Sequence, residues 1–357
     1  MRLHTSMRPQ MTRAASLGGG YVGNDDKIVF FSNRQGSTLS NTSDSSSSLE
    51  LQESFCYEHD PTTGLPIFDI DKCSDDELLG GEAGFASRPE EVQAVLSMRR
   101  QLSGHEKKEL TDPRMLIRHW RAEKGDIIRA METLREAFQW RKDYELTALR
   151  VCMSQHPNKV TGHKDYEAMM RLENATGKIF VRGKTLEGRA LQYMFAMRNN
   201  TKSDIDNMRH LAWNLEKSIS VTQHNSMGRL DKICLLIDCT DFDLLKAPSM
   251  HASKMTLDLL QKHFKERMYR IYVLNPPMTF RIFWKLVKPF IDPVTKAKIV
   301  FCTGPFSEGT QQLHKDVGHD QAKRLERCAY GTEPIRPFDS QEYLELPMHI
   351  GFDEQTS

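Results

Sequence analysis

Three charged residues have the types and spacing either to bind an anion or to pair with a neighbour. Glu266 and Arg267 stand directly before one apolar segment with strand character, and Lys298 stands directly before another. As exposed ion pairs, such residues stabilise a protein by at most about 1 kcal/mol. As ligand groups, lysine and arginine bind phosphate through charge-assisted hydrogen bonds. The residue types alone leave both interpretations open.

The sequence lacks the familiar motifs of catalysis. It contains no HExxH, GxSxG or P-loop pattern, and its 13 histidines lack the spacing of metal ligands. Gly18, Gly20 and Gly23 spell GxGxxG, but a dinucleotide site needs a strand before this pattern and a helix after it. We therefore expect no catalytic residue, no metal site and no cofactor.

The elements around the charged residues follow from local patterns. Ile271 and Val273 alternate with polar neighbours, which predicts a strand with one face in an apolar interior. Asn275, Pro276 and Pro277 must end that strand, because proline cannot donate to a ladder. A helix is predicted to follow over 278–288.

That helix is too apolar for an ordinary surface helix. Phe280, Trp284 and Val287 line one face at helical spacing. Further apolar residues lie away from this stripe, and three basic residues form a row: Ile282, Phe283 and Leu286, then Arg281, Lys285 and Lys288. Either the helix is buried in a large core, or it closes an apolar pocket on one side and meets a membrane on the other.

Five strand candidates alternate with helices in the second half of the chain. They lie in GKIFV, RALQYMFAM, DKICLLID, YRIYVLN and KIVF, with helices near 203–222 and 249–265 between them. This alternation predicts α/β layers. The strand that contains Ile233 and Leu235 is apolar on both faces, which predicts a central position in the sheet.

Before the sheet, the pattern is helical. Asp112 and Pro113 fit an N-cap and a first helical position for one helix, and Asp126 fits the N-cap of a second helix over 127–141. Apolar residues recur at helical spacing in the second helix. These helices are predicted to pack as a small bundle.

Composition limits the possible partners. The 357 residues carry 49 Lys and Arg against 48 Asp and Glu, so no bulk charge favours nucleic acid. No apolar run reaches the roughly 18 residues that span a bilayer, and the N-terminus has no apolar signal region. Seven cysteines lack metal-like spacing and are expected to be reduced. We expect a cytoplasmic protein.

Residues 1–88 have the composition of a disordered Ser- and Gly-rich leader. Ser45 to Ser48 lie in a tract of Ser, Asn and Thr, with few apolar residues to offset the entropy of ordering. We expect no fold there, so removal of residues 1–85 should leave the melting temperature unaltered.

Several motifs in order carry a resemblance to a known family. They are Glu266-Arg267-Met268, Asn275-Pro276-Pro277, Phe283 through Phe290, Asp292 to Thr295 with Lys298, Gly188-Arg189 before ALQYMFAM, KICLLIDCTDF with Asp238, and LIRHWRAEKGDIIRAMETLREAFQWRKDY. Over about residues 90–335 the chain resembles the CRAL-TRIO family of lipid-binding and phosphatidylinositol transfer proteins.

The resemblance implies a fold and a set of domains. A small N-terminal helical bundle over 89–155 would precede an α/β/α lipid-binding domain over 156–335, followed by a tail over 336–357. The lipid-binding domain would have a mixed sheet of about five strands and a gate helix.

The resemblance also implies a site. Arg267 and Lys298 would bind the phosphate of an inositol headgroup, and Glu266 would accept its hydroxyl groups. Seven apolar residues would line the acyl pocket: Ile233, Leu235, Ile271, Val273, Phe280, Trp284 and Val287. Family members that bind phosphatidylcholine have hydroxyl side chains in place of Ile233 and Leu235, which disfavours a choline lipid here.

Two positions depart from the family pattern. Lys265 stands where proline is usual, and Glu123 stands where the helical domain usually carries a basic residue.

The implied function is exchange of phosphatidylinositol or another lipophile with membranes by a monomer that docks transiently on membrane surfaces. Two alternatives stay open: an interaction module with a degenerate pocket, and an α/β enzyme with a nucleotide cofactor.

Overall fold

A five-stranded mixed sheet organises the second half of the chain. The computed structural model describes residues 59–60, 65–79, 88–154, 166–318, 321–322 and 338–352. The strands are β1 (Ile179–Lys184), β2 (Ala190–Phe195), β3 (Ile233–Asp238), β4 (Met268–Leu274) and β5 (Ile299–Cys302). They lie in the order β1-β2-β3-β4-β5, with β1 antiparallel to β2 and the other neighbours parallel. The predicted α/β class is confirmed.

Helices surround the sheet and precede it. In chain order they are α1 (Asp75–Leu79), α2 (Pro89–Gln101), α3 (Gly104–Glu109), α4 (Met115–Ala122), α5 (Ile127–Asp143), α6 (Leu146–Val151), α7 (Tyr166–Asn174), α8 (Asp204–Asn225), α9 (Met250–Asp258), α10 (Phe280–Val287), α11 (Pro293–Ala297), α12 (Glu308–Val317) and α13 (Ser340–Glu345). Shorter turns are 3₁₀ at Ala196–Arg198 and Lys288–Phe290, and π at Leu259–His263. Within the described residues, no helix is long and apolar enough to cross a bilayer.

Both faces of the sheet are covered, as a largely parallel sheet requires. On one face, Ser218 of α8 donates to Gln192 at 2.7 Å, and Gln192 pairs with Leu235 in the ladder. On the other face, Tyr272 donates to Asp316 of α12 at 2.5 Å, and Tyr272 pairs with Leu236. Because successive strand residues point to opposite faces, α8 and α12 lie on opposite sides.

A separate apolar core holds the helices before the sheet, which confirms the small bundle. Met98, Leu116 and Leu134 are fully buried there. Asp126 caps α5 by accepting from the Arg129 N–H at 3.0 Å, as predicted. Helix α4 begins later than predicted, with Arg114 as its N-cap, although the Asp112 carboxylate still accepts from the Arg114 N–H at 3.0 Å while it pairs with arginines.

Part of the predicted leader is folded. Ile70, Cys73, Leu78 and Leu79 are all buried in the bundle core. The expectation of no fold is therefore wrong for residues 65–79. The few apolar residues of this segment were outweighed, in the compositional argument for disorder, by the polar residues around them. The GxGxxG glycines lie outside the described residues.

The segment predicted as a C-terminal tail contributes to the main core. Tyr343, Leu344 and Phe352 are buried against the sheet, and Tyr343 donates to Asn214 of α8 at 2.7 Å. The buried ammonium of Lys217 donates to the carbonyls of Leu346 and Pro347 at 3.0 and 2.9 Å. Residues 338–352 thus belong structurally with the α/β part of the protein.

Candidate ligand site

The predicted headgroup residues lie at one edge of the sheet. Because β2 to β5 are parallel, the segments that precede β3, β4 and β5 meet at the same side, which we call the amino edge. Asp231 precedes β3, residues 265–267 precede β4, and Lys298 precedes β5. The topology therefore gathers charged residues that are far apart in sequence.

Glu266 and Lys298 are brought together. The Lys298 ammonium donates to Glu266 Oε2 at 3.0 Å, and the two side chains keep 20% and 21% of their surface exposed. Glu266 has a left-handed backbone with φ of 53°, which is costly for a residue with a side chain. The pair is within reach of solvent, so a ligand could compete for it.

The two departures from the family pattern face each other. Lys265 Nζ lies 2.5 Å from Glu123 Oε1, and both side chains are mostly covered at 15% and 19% exposure. Glu123 directly follows α4, so this pair ties the helical bundle to the start of β4. A lysine thus pairs with Glu123 at the position where the family pattern has a basic residue, and it comes from residue 265 instead of the bundle.

Arg267 is placed elsewhere. Its guanidinium is buried at 6% exposure and donates to the carboxylate of Asp112 and, at 3.0 Å, to the backbone carbonyl of Asp231. Arg118 donates to the carboxylates of both Asp112 and Asp231, and the Arg267 guanidinium lies 3.7 Å from the Asp231 carboxylate. The structure therefore does not join Arg267 to the Glu266–Lys298 pair, and its charge is already compensated by protein groups.

The buried carboxylates of this network stay ionised. Burial alone raises the pKa of Asp112, but the adjacent Arg118 and Arg267 outweigh burial and hold the pKa well below its ordinary value. Burial likewise raises the pKa of Asp231, and the attraction of Arg118, Arg114 and Arg267 lowers it to about 2. The network is two carboxylates shared by two arginines. Sequence reasoning missed it because two of its members, Asp112 and Arg118, lie more than 100 residues before the other two, Asp231 and Arg267.

The four strand residues of the predicted acyl pocket share one face of the sheet. Ile233 and Leu235 alternate along β3, and Leu235 pairs with Ile271 in the ladder. Ile233, Leu235 and Ile271 are buried in the main core. Val273 lies further along β4 in a separate small cluster with Phe280 and Phe242. The pocket residues are therefore divided between tight core packing and the space beneath α10.

Helix α10 lies over this small cluster with its predicted face inward. Phe280 and Val287 are buried, and the Trp284 ring meets Phe301 edge-on at 5.2 Å. Phe242 packs edge-on against Phe280 at 5.3 Å. The helix rests on the sheet mainly through aromatic contacts.

The opposite side of α10 and its flanks exposes an apolar row. Ile282 and Leu286 are each 53% exposed, and the three basic residues of the helix are exposed beside them. The row has a member at every fourth position: Met278, Ile282, Leu286, Phe290 and Val294. Sequence reasoning found two of these residues, and the regular spacing of four could have shown the rest.

Other chemistry has little support in the described part of the chain. No group of histidine, cysteine and carboxylate side chains there could hold a metal ion. Cys234 and Cys239 are buried, and burial raises the pKa of each thiol to about 12, so neither ionises readily.

Comparison with known proteins identifies the domain. Residues 174–324 match the CRAL/TRIO domain model. The chain is 30% identical over 186 residues to a CRAL-TRIO domain-containing protein of Schizosaccharomyces pombe, covering 52% of this chain and 16% of that protein. It is 30% identical over 190 residues to the phosphatidylinositol transfer protein PDR17 of Saccharomyces cerevisiae, covering 52% of this chain and 51% of that protein.

The match thus spans about half or less of the length of these two relatives. Among solved structures, the crystal structure of Sfh5 aligns with 61% of this chain and 82% of its own, at 16% identity and a TM-score of 0.44. The family resemblance stated from the sequence is confirmed.

Proposed function

From the premise that residues 174–324 form a CRAL/TRIO domain of the lipid-binding and transfer family, we propose that this protein holds phosphatidylinositol or another lipophile beneath α10 and exchanges it with membranes. The observation that carries the proposal is the two-sided character of α10. One side packs aromatic rings over an apolar sheet face, and the other presents an apolar row flanked by basic residues.

The acyl chains would enter where α10 now packs on the sheet. Only Phe280 and Val287 of this helix are fully buried. Releasing a buried side chain of this size costs about 1.5–3 kcal/mol. Displacing the helix therefore costs a few kcal/mol, which is compatible with its acting as a gate.

Exchange needs no catalysis, because the lipid has similar free energy in both places. Burial of an acyl chain contributes about 0.8 kcal/mol per methylene, so two long chains contribute on the order of 25 kcal/mol gross. The bilayer offers nearly the same environment. The net preference is then decided by the headgroup and by the small cost of moving the gate.

For the headgroup, we assign the amino edge. Lys298 and Lys265 would donate to phosphate, and Glu266 would accept from inositol hydroxyl groups. Both lysines are now paired with carboxylates, so a phosphate would replace Glu123 and Glu266 as their partner. Arg267 would act as a positioning residue, because its buried contacts with Asp112 and Asp231 fix the turn in which Glu266 lies.

In this proposal the protein is a cytoplasmic monomer that associates transiently with membrane surfaces. Native mass spectrometry after purification from a eukaryotic host tests it directly. We expect a bound phospholipid. An empty protein would support an interaction module instead, and a bound nucleotide would support an enzyme.

A variant pair sharpens the test. Phe280→Asp with Trp284→Asp should remove the ligand, because two charges beneath the helix disfavour acyl chains. Trp284→Ala is a milder second variant, should the double variant fold poorly. Leu172→Asp with Leu186→Asp is the matched control, since these residues are 60% and 72% exposed elsewhere. Equal lipid occupancy in all variants would place the ligand away from α10.

A further inference from the structure

Three histidine rings from distant parts of the chain pack into one cluster. The His59 ring stacks on the His349 ring, with centroids 6.0 Å apart and planes 16° from parallel. The centroids of the His224 and His349 rings are 4.8 Å apart. These are ordinary separations for packed aromatic rings. We call the three residues the histidine cluster, and no step of the proposed lipid exchange uses it.

The cluster joins three segments. His224 lies in the last turn of α8, and His349 follows α13 in the segment 338–352, which packs on the sheet. His59 belongs to a segment before the bundle. We call residues 59–60 and 65–79 the strap, because their later part, with Ile70 and Leu78, is buried in the bundle core. The strap therefore reaches from the bundle to the α/β part of the protein.

The two ends of the first part of the strap are tied together. His59 and Pro66 form an antiparallel bridge, and the Asp60 N–H donates to the Leu65 carbonyl at 2.8 Å. A contact that holds His59 therefore also holds Leu65 and Pro66.

This part of the strap covers charged residues near the amino edge. Leu65 and Pro66 line a small cavity together with Arg267 and Glu216, which are both buried. The stacking within the histidine cluster thus helps to keep this cover in place.

The surroundings of His349 oppose a positive charge. Burial lowers the pKa of His349, and so do His224 and Lys217, which are the charged groups that act on it among the described residues. The Lys217 ammonium donates to the carbonyls of Leu346 and Pro347, so it is fixed beside the segment that carries His349.

The surroundings of His59 favour a positive charge. In the sequence it stands between Glu58 and Asp60, and nearby carboxylates favour the protonated form of a histidine. Once His349 is protonated too, like charges face each other across the stack. His349 is therefore the ring whose protonation decides whether the stack persists.

Acid shifts the balance toward release of the strap. His349 binds a proton less readily while the cluster is packed than when the strap has moved away and water reaches the ring. The released state is therefore favoured as the pH falls below the ordinary histidine pKa of about 6.5. Near neutral pH the packed cluster is favoured.

We propose that the histidine cluster is a proton-operated latch: its rings hold the first part of the strap near neutral pH, and their protonation in mild acid releases it and uncovers the cavity beside Arg267. The segment 338–352 stays in place, because Tyr343 and Lys217 tie it to α8 independently. The latch goes beyond the proposed lipid exchange and does not require a bound lipid.

Hydrogen–deuterium exchange on the full chain tests the latch. Exchange in peptides that contain Asp60 and Leu65 is compared at pH 7.5 and pH 5.5, after correction for the intrinsic effect of pH. With one proton coupled to release, exchange should be about tenfold faster at pH 5.5, because this pH lies about one unit below the ordinary histidine pKa. Peptides that cover Leu134 of the bundle core and Phe352 should keep their protection.

His349→Gln is the decisive variant. Glutamine takes up no proton in this range, so the tenfold effect of pH should disappear. His349→Phe keeps a ring in the stack and gives the same ratio a second measurement, should the glutamine variant hold the strap loosely. His263→Gln is the matched control, since His263 is also partly buried and stacks on Trp140 with centroids 4.0 Å apart. This control should keep the tenfold effect.

Three results would overturn the latch. The first is equal exchange of the strap at both pH values in the parent, and the second is an undiminished effect of pH in both variants of His349. The third is equal acceleration in the peptide that covers Leu134, which would identify global unfolding in acid. If the parent carries no lipid, the proposed function fails, but the strap should still respond to pH.

Discussion

The two edges of the sheet differ in their chemistry and in what covers them. The amino edge gathers charged residues before β3, β4 and β5, and each is paired with another group of this chain. At the opposite ends of β3, β4 and β5, which we call the carboxyl edge, the loops expose Leu245, Met278 and Phe306 to solvent. Along β4, with 7 residues, the edges are separated by only about 20 Å.

This contrast shows at which edge the side chains find their partners within the chain. Buried charges are tolerable only when partners neutralise them, and at the amino edge the helical bundle provides Asp112, Arg118 and Glu123. Exposed apolar groups contribute favourable free energy only when another surface removes them from water. The charges of the amino edge are neutralised by partners within the chain, whereas the large apolar side chains of the carboxyl edge stay in contact with water.

The largest expected effect is a loss of stability on deletion of the segment that covers the amino edge and the helical bundle. Leu65 and Pro66 line a cavity of about 10 Å³, enough for one water molecule, together with Arg267 and Glu216. Deleting residues 1–85 removes this cover and the buried Ile70, Leu78 and Leu79, so the free energy of unfolding should fall by roughly 5 kcal/mol. Urea denaturation measures it. Deleting only residues 1–57 is the control. Equal stability of both deletions would contradict the packing of α1.

The next largest effect concerns Arg267. Replacing it with alanine leaves Arg118 as the direct ion-pair partner of both Asp112 and Asp231, and breaking a buried ionic network in this way costs about 3–5 kcal/mol. Lys298→Ala, at the partly exposed pair, should cost less than about 1 kcal/mol in the same denaturation experiment. Equal costs for the two variants would show that Arg267 is no anchor.

A third effect is a dependence of stability on pH that arises at the amino edge. Burial, together with the nearby positive charges of Lys265, Arg118 and Arg267, lowers the pKa of His119 from 6.5 to about 3. Between these pH values the unfolded chain binds a proton that the folded chain does not. Stability is therefore full above pH 6.5 and falls as the pH decreases, with a slope of about 1.4 kcal/mol per pH unit from this residue.

Denaturation at pH 7, 6 and 5 measures that slope. His119→Gln should reduce the slope by about 1.4 kcal/mol per pH unit, the contribution of one proton. Leu245→Ser at the carboxyl edge should leave the slope unchanged. His210, whose pKa burial also lowers to about 3, continues to contribute in both variants. If His119→Gln kept the parent slope, the histidine would be protonated in the fold.

The smallest effect is kinetic. Lys285→Glu with Lys288→Glu should leave stability and lipid occupancy unchanged but slow exchange with anionic vesicles, because the charges beside the apolar row now repel the surface. The difference should shrink as salt is added. Lys142→Glu with Lys315→Glu reverses two exposed lysines elsewhere and serves as the control. Equal exchange rates of the two variants at low salt would show that the basic row takes no part in membrane docking.

Much of the fold could be predicted from the sequence, because local residue patterns encode its elements. Alternation and proline punctuation placed all five strands, and the helical spacing of Phe280, Trp284 and Val287 gave the orientation of α10. The site was less readable. Nothing in the sequence shows that Glu266 adopts a left-handed backbone, which separates the side chain of Arg267 from that of Glu266. Glu123 and Lys265 were each seen as unusual, but only the fold shows that they compensate each other.

The break after α10 has a consequence for the shape of the apolar row. In an unbroken α-helix, each step of four residues overshoots a full turn by about 40°, so four steps from Met278 to Val294 would spiral through about 160°. The last residues would then point toward the sheet. Here the 3₁₀ turn at Lys288–Phe290 and the fresh start at Pro293 interrupt the spiral, and Val294 remains 51% exposed. The interruption at Pro289 thus leaves every member of the row exposed, where an unbroken helix would have wound its last members round toward the sheet.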